Sequence, residues 1–277
     1  MKNAVILGTF DGLHIGHRAV IMGAKGYNII AVTFNSPPKM SSDKTLGVLM
    51  QKEDRFKGLK ELGVSEICVL KFDEVKSLEP YDFVNMINEK YSPKLFVCGF
   101  NYRFGNKAKG DTKTLKAYCE EKGIALKVTE SVNIDGKTVS STLIRDFISK
   151  GEIEKANELL YKPFGFTAEV VSGDQRGRNL GFPTANQMYP RNMQKLKFGV
   201  YRSRVFIDGR EYKGISNIGI RPTYQTKSPI SETYIYDFSD DIYGKSIRVE
   251  PLKFLRSEQK FGSAEELKKA VLKDILT

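Results

Sequence analysis

Apolar residues follow two rhythms along this chain, and the rhythm changes past the middle. In the first half, short β-branched blocks alternate with longer stretches whose apolar residues recur every three or four positions. The blocks Ala4 to Leu7, Asn28 to Phe34, Glu66 to Lys71, Leu95 to Cys98 and Ile124 to Val128 read as buried strands. Arg18 to Lys25, Gln51 to Leu62, Pro80 to Lys90 and Lys113 to Lys122 read as helices. Phe56, Leu59 and Leu62 share one face of the second helix; Phe83, Val84 and Ile87 share one face of the third. Gly63 and Gly123 stop the second and fourth. Strand and helix in alternation predict a doubly wound parallel α/β domain, whose ligands lie beyond the carboxyl ends of the strands.

Two helical runs between Thr142 and Leu160, split by Gly151, end this half, and Pro163 breaks the pattern. From there the period is two. Phe166 to Val171, Gly199 to Ile207, Arg210 to Ile218, Ser231 to Phe238 and Ser246 to Phe254 read as strands joined by turns such as Asp208-Gly209. A small antiparallel β-barrel accounts for them. Ser263 to Leu276 reads as a last helix, with Ser263 as cap and Glu266 as its capping-box partner. The fold class is therefore α/β plus β, with domains at 1–162 and 163–277.

A length of 277 residues suits two domains, and 40% apolar content suffices for packed cores. The net charge of +11 favours anionic partners: nucleotides, nucleic acid or anionic membrane. No apolar run approaches the ~20 residues that a membrane helix needs. Met1-Lys2-Asn3 leads straight into a strand, so no signal peptide is expected. Cys68, Cys98 and Cys119 are scattered, which points to reduced thiols and a cytoplasmic protein; without a Cys-x-x-Cys pair, no zinc site is expected.

The chemistry begins at Gly8-Thr9-Phe10-Asp11-Gly12-Leu13-His14-Ile15-Gly16-His17, between a strand and a helix. Such a turn offers unpaired N–H groups and a helix dipole to a phosphate. Gly8, Gly12 and Gly16 let backbone approach an anion. The only two histidines of the chain, His14 and His17, sit there and can donate hydrogen bonds to a phosphoryl group. The plain alternative is a turn whose histidines only cap a helix. Ser140-Ser141-Thr142 can likewise cap the next helix or bind phosphate. In the second half, Gly177, Arg178 and Gly181 form a glycine-rich loop ahead of Thr184 and Asn186, two neutral oxygens on one side of an extended segment, suited to Mg²⁺ held with nucleotide phosphates. The alternative there is an ordinary glycine turn. Glu232, Tyr234 and Tyr236 alternate onto one strand face, where a carboxylate can equally be a solvated rim residue.

Taken together, these stretches resemble one family. Residues 8–17 resemble the His-x-Gly-His nucleotidyltransferases, and with Phe-Asp-Gly in front they resemble the flavin-adenylylating branch, the bacterial bifunctional riboflavin kinase/FAD synthetases. Gly99-Phe100-Asn101-Tyr102-Arg103-Phe104-Gly105 is similar to the family's Gly-x-(Asp/Asn)-Phe-x-Phe-Gly, and Val139-Ser140-Ser141-Thr142-Leu143-Ile144-Arg145 to its Ile-Ser-Ser-Thr-x-Ile-Arg. Pro183-Thr184-Ala185-Asn186 resembles the riboflavin kinase signature, and Glu232-Thr233-Tyr234-Ile235 its Glu-Thr-(His/Tyr)-Ile. The chain departs from the family at Asn35-Ser36-Pro37-Pro38, where Asp-Pro-His-Pro is usual, and at Leu160-Tyr161-Lys162-Pro163-Phe164, where Leu-Gly-Arg-Pro-Tyr is usual.

The resemblance implies a cytoplasmic enzyme that uses ATP twice, with Mg²⁺ in the barrel. Riboflavin would be phosphorylated to FMN, and FMN adenylylated to FAD with release of pyrophosphate. Glu232 would be the general base, His14, His17 and Arg145 the catalytic groups of adenylylation, and Thr184 and Asn186 the metal-side residues. Gly8, Phe10, Asp11, Gly12, Gly16, Ser141, Thr142, Gly177, Arg178 and Gly181 would bind nucleotide phosphates, and Asn101, Phe104 and Arg256 flavin. Riboflavin, FMN, FAD and ATP are the expected partners, with neither nucleic acid nor membrane; the oligomeric state stays open. The alternatives are a chain with one live activity, the kinase, or a non-catalytic flavin- or RNA-binding protein.

Overall fold

Five parallel strands, β1 (Asn3–Leu7), β2 (Asn28–Phe34), β3 (Glu66–Leu70), β4 (Leu95–Gly99) and β5 (Ala125–Thr129), form a sheet in the order β3-β2-β1-β4-β5. This is a computed structural model of the chain, describing residues 1–38, 40, 43, 45–173, 181–220, 229–259 and 261–276. Successive residues of each strand enter opposite cores. Val5, Leu7, Ile30, Val32, Phe96 and Cys98 pack with Phe83, Ile87, Leu115 and Tyr118 of α4 (Pro80–Tyr91) and α5 (Thr112–Lys122). Ala4, Ile6, Ile29, Ala31 and Val97 pack with Val20, Ile21 and Leu59 of α1 (Ile15–Gly23) and α2 (Lys52–Glu61). Burial on both faces is why β1, β2 and β4 are continuous apolar blocks in the sequence, whereas the edge strand β5 is largely exposed. The strand order reverses between β1 and β4, so the loops leaving their carboxyl ends border one crevice.

The chain divides into two compact units. One comprises Met1–Leu143 and Leu159–Tyr161, the other Ile144–Glu158 and Lys162–Thr277. The second unit thus takes in residues 144–158, a stretch the sequence reading assigned to the first domain.

In the second unit six strands close into a barrel: β8 (Phe166–Val171), β9 (Thr184–Met188), β10 (Gly199–Ile207), β11 (Arg210–Gly219), β12 (Ile230–Ile235) and β13 (Ser246–Arg256). Their order around the barrel is β10-β11-β12-β9-β8-β13, and every pair is antiparallel. The interior is partly polar. Gln187 is fully buried and donates to the carbonyls of Ala168 (2.6 Å) and Ile247 (2.9 Å), clipping β8 to β13. The buried hydroxyls of Ser216 and Thr233 bond each other at 2.8 Å. The last helix, α8 (Ala264–Leu276), begins as a capping box slid back by one residue. The Ser263 hydroxyl accepts the Glu266 N–H at 3.2 Å, and the Glu266 carboxylate accepts the Gly262 N–H at 2.9 Å.

Elements that periodicity did not announce are short or polar: α3 (Phe72–Val75), the hairpin β6 (Asn133–Ile134) with β7 (Lys137–Thr138), and β9. The remaining helices, α6 (Ser141–Lys150) and α7 (Ile153–Leu159), fall where Gly151 was expected to divide them. α1 starts at Ile15, three residues ahead of the expected Arg18, with His14 as its N-cap.

Candidate active sites

The turn after β1 is held down by its own apolar side chains. Phe10 (φ 51°) and Leu13 (φ 47°) adopt left-handed backbone so that both side chains are fully buried in the core, with Gly12 at φ 84° between them. Left-handed backbone costs an L-residue about 1–2 kcal/mol, a cost that core burial of two large side chains offsets. Glycines then leave room for rings. A Cβ at Gly8 would stand 3.1 Å from the Phe10 ring, and one at Gly16 3.2 Å from the His14 imidazole.

His14 caps α1 by backbone geometry only (φ −63°, ψ 169°), with no side-chain capping bond, and the first turn of α1 carries no acidic residue. The plain capping role therefore does not account for its imidazole. The rings of His14 and His17 stack at 3.7 Å and 23°, and Phe10 meets His17 edge-on at 5.4 Å. Burial holds the His17 pKa well below the ordinary 6.5, and His14 and Arg55 push it further down. His17 is thus neutral at pH 7, and its Nδ1 is buried with no hydrogen-bond partner among the described residues. Two imidazoles beside a helix N-terminus that has no acid of its own are an arrangement suited to an anion.

Asp11 does something other than face a phosphate. Its carboxylate is 1% exposed and accepts the Leu49 N–H at 2.9 Å, so it anchors the segment entering α2. A buried carboxylate turned to a backbone N–H is not a phosphate ligand, because two anions repel. What Asp11 offers the site is its carbonyl, which accepts the Ser141 hydroxyl at 3.2 Å across 130 residues of sequence. The fold thereby brings the serine motif to the histidine turn. Ser140 accepts the Leu143 N–H at 3.2 Å and caps α6, while Thr142 is exposed. Arg145 lies farther along α6, half-buried, and belongs to the second unit.

The loop leaving β4 forms the other side of the crevice. Asn101 is exposed. Phe104 is turned into the core, 5% exposed, 5.7 Å from the Phe83 ring and 5.5 Å from Tyr102, and its backbone pairs with Gly110. Its ring and backbone fix the position of the loop.

Sequence reasoning passed over Arg55. It is 2% exposed and donates to Thr9 O (3.0 Å), Phe34 O (2.6 Å) and Asn35 O (2.9 Å), joining the carboxyl ends of β1 and β2. Thr33 adds a bond from its hydroxyl to Thr9 O at 3.1 Å. Burial lowers the Arg55 pKa, while Asp11 and Glu53 act to keep it charged.

In the barrel the strand register does the assembling. Asn186 stands directly opposite Glu232, Thr184 opposite Tyr234, and Asn217 opposite Glu232 on the other side. Directly opposed residues share a face, so Thr184, Asn186, Glu232 and Tyr234 line the outer face of β9 and β12. Phe182, Tyr234 and Tyr236 form an aromatic row beside them, with centroids 5.6 and 5.5 Å apart. A cleft of about 270 Å³ is lined by Pro183, Thr184, Asn186, Phe238, Asp241 and Tyr243 among others; Glu232 and Tyr234 are not part of its lining. Gly173 packs on Asn186, where a Cβ would meet Nδ2 at 2.6 Å. Gly181 has φ 86°, with open space where a Cβ would be; Gly177 and Arg178 lie outside the described residues. Among the described residues no cluster of three or more His, Cys, Asp or Glu could hold a metal. The donors at the cleft are instead the hard oxygens of Thr184 and Asn186, which fit Mg²⁺ shared with phosphates.

Arg256 has its fork turned to Asp274. Nε donates at 3.0 Å and Nη2 at 2.7 Å to a carboxylate only 8% exposed. This pair ties α8 to β13.

Comparison with known proteins finds two matching families. A model of the FAD synthetase family matches residues 1–143, and a model of the riboflavin kinase family matches residues 160–277. The bifunctional riboflavin kinase/FMN adenylyltransferase of Bacillus subtilis (strain 168) is 34% identical over 99% of this chain and 90% of its own length. The chain belongs to the bifunctional riboflavin kinase/FMN adenylyltransferase family. The Escherichia coli (strain K12) protein of that name is 32% identical over 98% of this chain and 90% of its own length. Within this family match, the FAD synthetase region holds the whole parallel sheet and the riboflavin kinase region holds all six barrel strands. A solved structure described as a macrolide-efflux protein from Streptococcus pneumoniae superposes with a TM-score of 0.91 at 30% identity, covering 99% of this chain and 93% of that one. Its description names efflux; among the described residues here, no helix is long and apolar enough to cross a membrane.

Proposed function

We propose that the barrel, in a domain at 163–277, phosphorylates riboflavin through Glu232, and that the α/β domain at 1–162 adenylylates the product through His14 and His17. The observation that carries the first assignment is the β9–β12 register, which sets Glu232 beside Asn186 and two residues along from Thr184.

In the kinase step Glu232 takes the proton of the ribityl 5′-hydroxyl as that oxygen attacks the γ-phosphorus of ATP. The bond to the bridging oxygen breaks, ADP leaves, and FMN forms. Thr184 and Asn186 would hold Mg²⁺, which when bound supplies positive charge to the ATP phosphates. Gly177, Arg178 and Gly181 cover those phosphates. In the adenylylation step an FMN phosphate oxygen attacks the α-phosphorus of a second ATP, and pyrophosphate leaves. The α1 N-terminus, with Gly8, Gly12 and Gly16 along the turn that leads into it, and the two imidazoles hold the developing phosphoryl charge. Neutral His17 donates a hydrogen bond there without competing for a proton. Ser141 and Thr142 flank the phosphates, Arg145 binds the leaving pyrophosphate, and Asn101 meets the flavin side. The enzyme works in the cytoplasm on these small substrates, independently of nucleic acid and membrane. Its three buried free cysteines suit that compartment.

Chromatography of products from riboflavin, ATP and Mg²⁺ tests the reading, with FMN expected to appear first and FAD to follow. Glu232→Gln slows FMN formation by roughly 10²–10⁴-fold while FAD still forms from supplied FMN. His17→Ala does the reverse. Near wild-type phosphorylation by Glu232→Gln would sink the base assignment.

A further inference from the structure

We infer that Arg55 is a positioning residue of the adenylylation site: it fixes the turn carrying His14 and His17 to the end of β2 and presents a buried positive charge to that turn. The inference rests on the proposed role of the turn. It goes beyond it by assigning a residue on α2 that lies outside every motif.

Arg55 is the bulkiest of the fully buried side chains among the described residues. Its donated hydrogen bonds go to three main-chain carbonyls, Thr9, Phe34 and Asn35. These carbonyls leave the carboxyl ends of two adjacent parallel strands, beyond the last ladder bonds, where backbone acceptors need another donor. A planar fork spans the gap between two strand ends, whereas the ammonium of Lys is a point donor. Burying a guanidinium is expensive, and an apolar side chain would fill the space at lower cost. The charge therefore makes sense where anionic substrates collect. Thr9 precedes the Phe10-to-His17 turn, so the position of both imidazoles depends on this tie. Four titratable groups interact with the assembly: Asp11 from the turn, Glu53 from α2, and His14 and His17.

Arg55→Lys and Arg55→Met in the full chain separate fork from charge, and riboflavin kinase activity of the same sample is the internal reference. Both variants lower kcat for FAD formation at least ~10-fold, as displaced catalytic groups do, with KM for FMN and MgATP changed less than roughly three-fold. Kinase kcat stays within about two-fold of wild type in both. The chain has only two histidines, so imidazole NMR resolves each titration. The His17 midpoint rises in Arg55→Met and keeps its wild-type place in Arg55→Lys. Full FAD-forming activity in Arg55→Lys, or an unmoved His17 titration in a folded Arg55→Met, overturns the inference. Should Arg55→Met unfold the α/β unit, Arg55→Lys decides alone. His17→Ala measured in parallel separates the two failures: if it forms FAD normally, the reading of the turn fails and not only that of Arg55.

Discussion

Gly12→Ala is the smallest change that tests how the histidine turn is built. Gly12 sits at φ 84°, and an added Cβ would stand 2.8 Å from Leu160 Cδ2 and 3.1 Å from Leu49 Cβ. Ordinary carbon contacts lie at about 3.5–4.0 Å, so both neighbours must move. Backbone strain costs about 1–2 kcal/mol, and overpacking of this kind costs about 1–3 kcal/mol. A stiffer unfolded chain returns about 0.4–1 kcal/mol. The net loss is about 2–4 kcal/mol in the α/β unit, a large share of ordinary domain stability. Gly26→Ala is the control. Gly26 has φ 92° but open space around a Cβ, so it carries the strain alone and loses only about 1 kcal/mol. Urea unfolding at constant slope measures both, with FMN and FAD formation assayed separately. Gly12→Ala is expected to depress FAD formation and leave riboflavin phosphorylation untouched. Equal stability losses in the two variants, with FAD formation intact, would refute the packing argument.

Other expectations follow from single groups. The folded His17 pKa lies below the unfolded 6.5, so the unfolded state binds the proton more tightly. Stability is full above pH ~6.5 and falls as pH drops toward the folded pKa, by up to about 1.4 kcal/mol per unit. His17→Gln flattens that acid slope in thermal melts of the α/β unit, and an unchanged slope would contradict a buried neutral imidazole. Arg256→Met strands the Asp274 carboxylate and costs the barrel unit about 3 kcal/mol, most of it regained when Asp274→Leu is added; no recovery would mean that Arg256 works elsewhere. Thr184→Val raises the Mg²⁺ needed for half-maximal kinase rate roughly 10-fold or more, without affecting FAD made from supplied FMN. An unshifted Mg²⁺ curve would remove Thr184 from the metal side.

The centre of the parallel sheet was legible in the sequence because β1, β2 and β4 are buried on both faces, which turns each into an apolar block. β9 was not legible as a strand. Gln187 points into the barrel, where its Nε2 donates to two carbonyls, so a polar residue occupies a core position. The paired hydroxyls of Ser216 and Thr233 hide the inner face of β11 and β12 in the same way. The start of α1 was missed because His14 caps by backbone geometry alone, without the hydroxyl or carboxylate that marks a helix start.

The candidate site divides along the same line. His14, His17, Thr184, Asn186 and Glu232 stood out because they fall in short strings that resemble family motifs. Arg55 carries no such mark. Asp11 looks like one more residue of a phosphate turn until the Leu49 N–H is seen on its carboxylate. Arg55 reads as a solvated helix charge until residues 9, 34 and 35 close around it. Their partners are backbone atoms distant in sequence, and any residue supplies those, so no local pattern could point to them. Motif side chains are thus recognisable one string at a time, whereas the buried charges packed behind them depend on the whole sheet. Adenylylation should therefore be as sensitive at Asp11 and Arg55, which need touch no substrate, as at the histidines they hold in place.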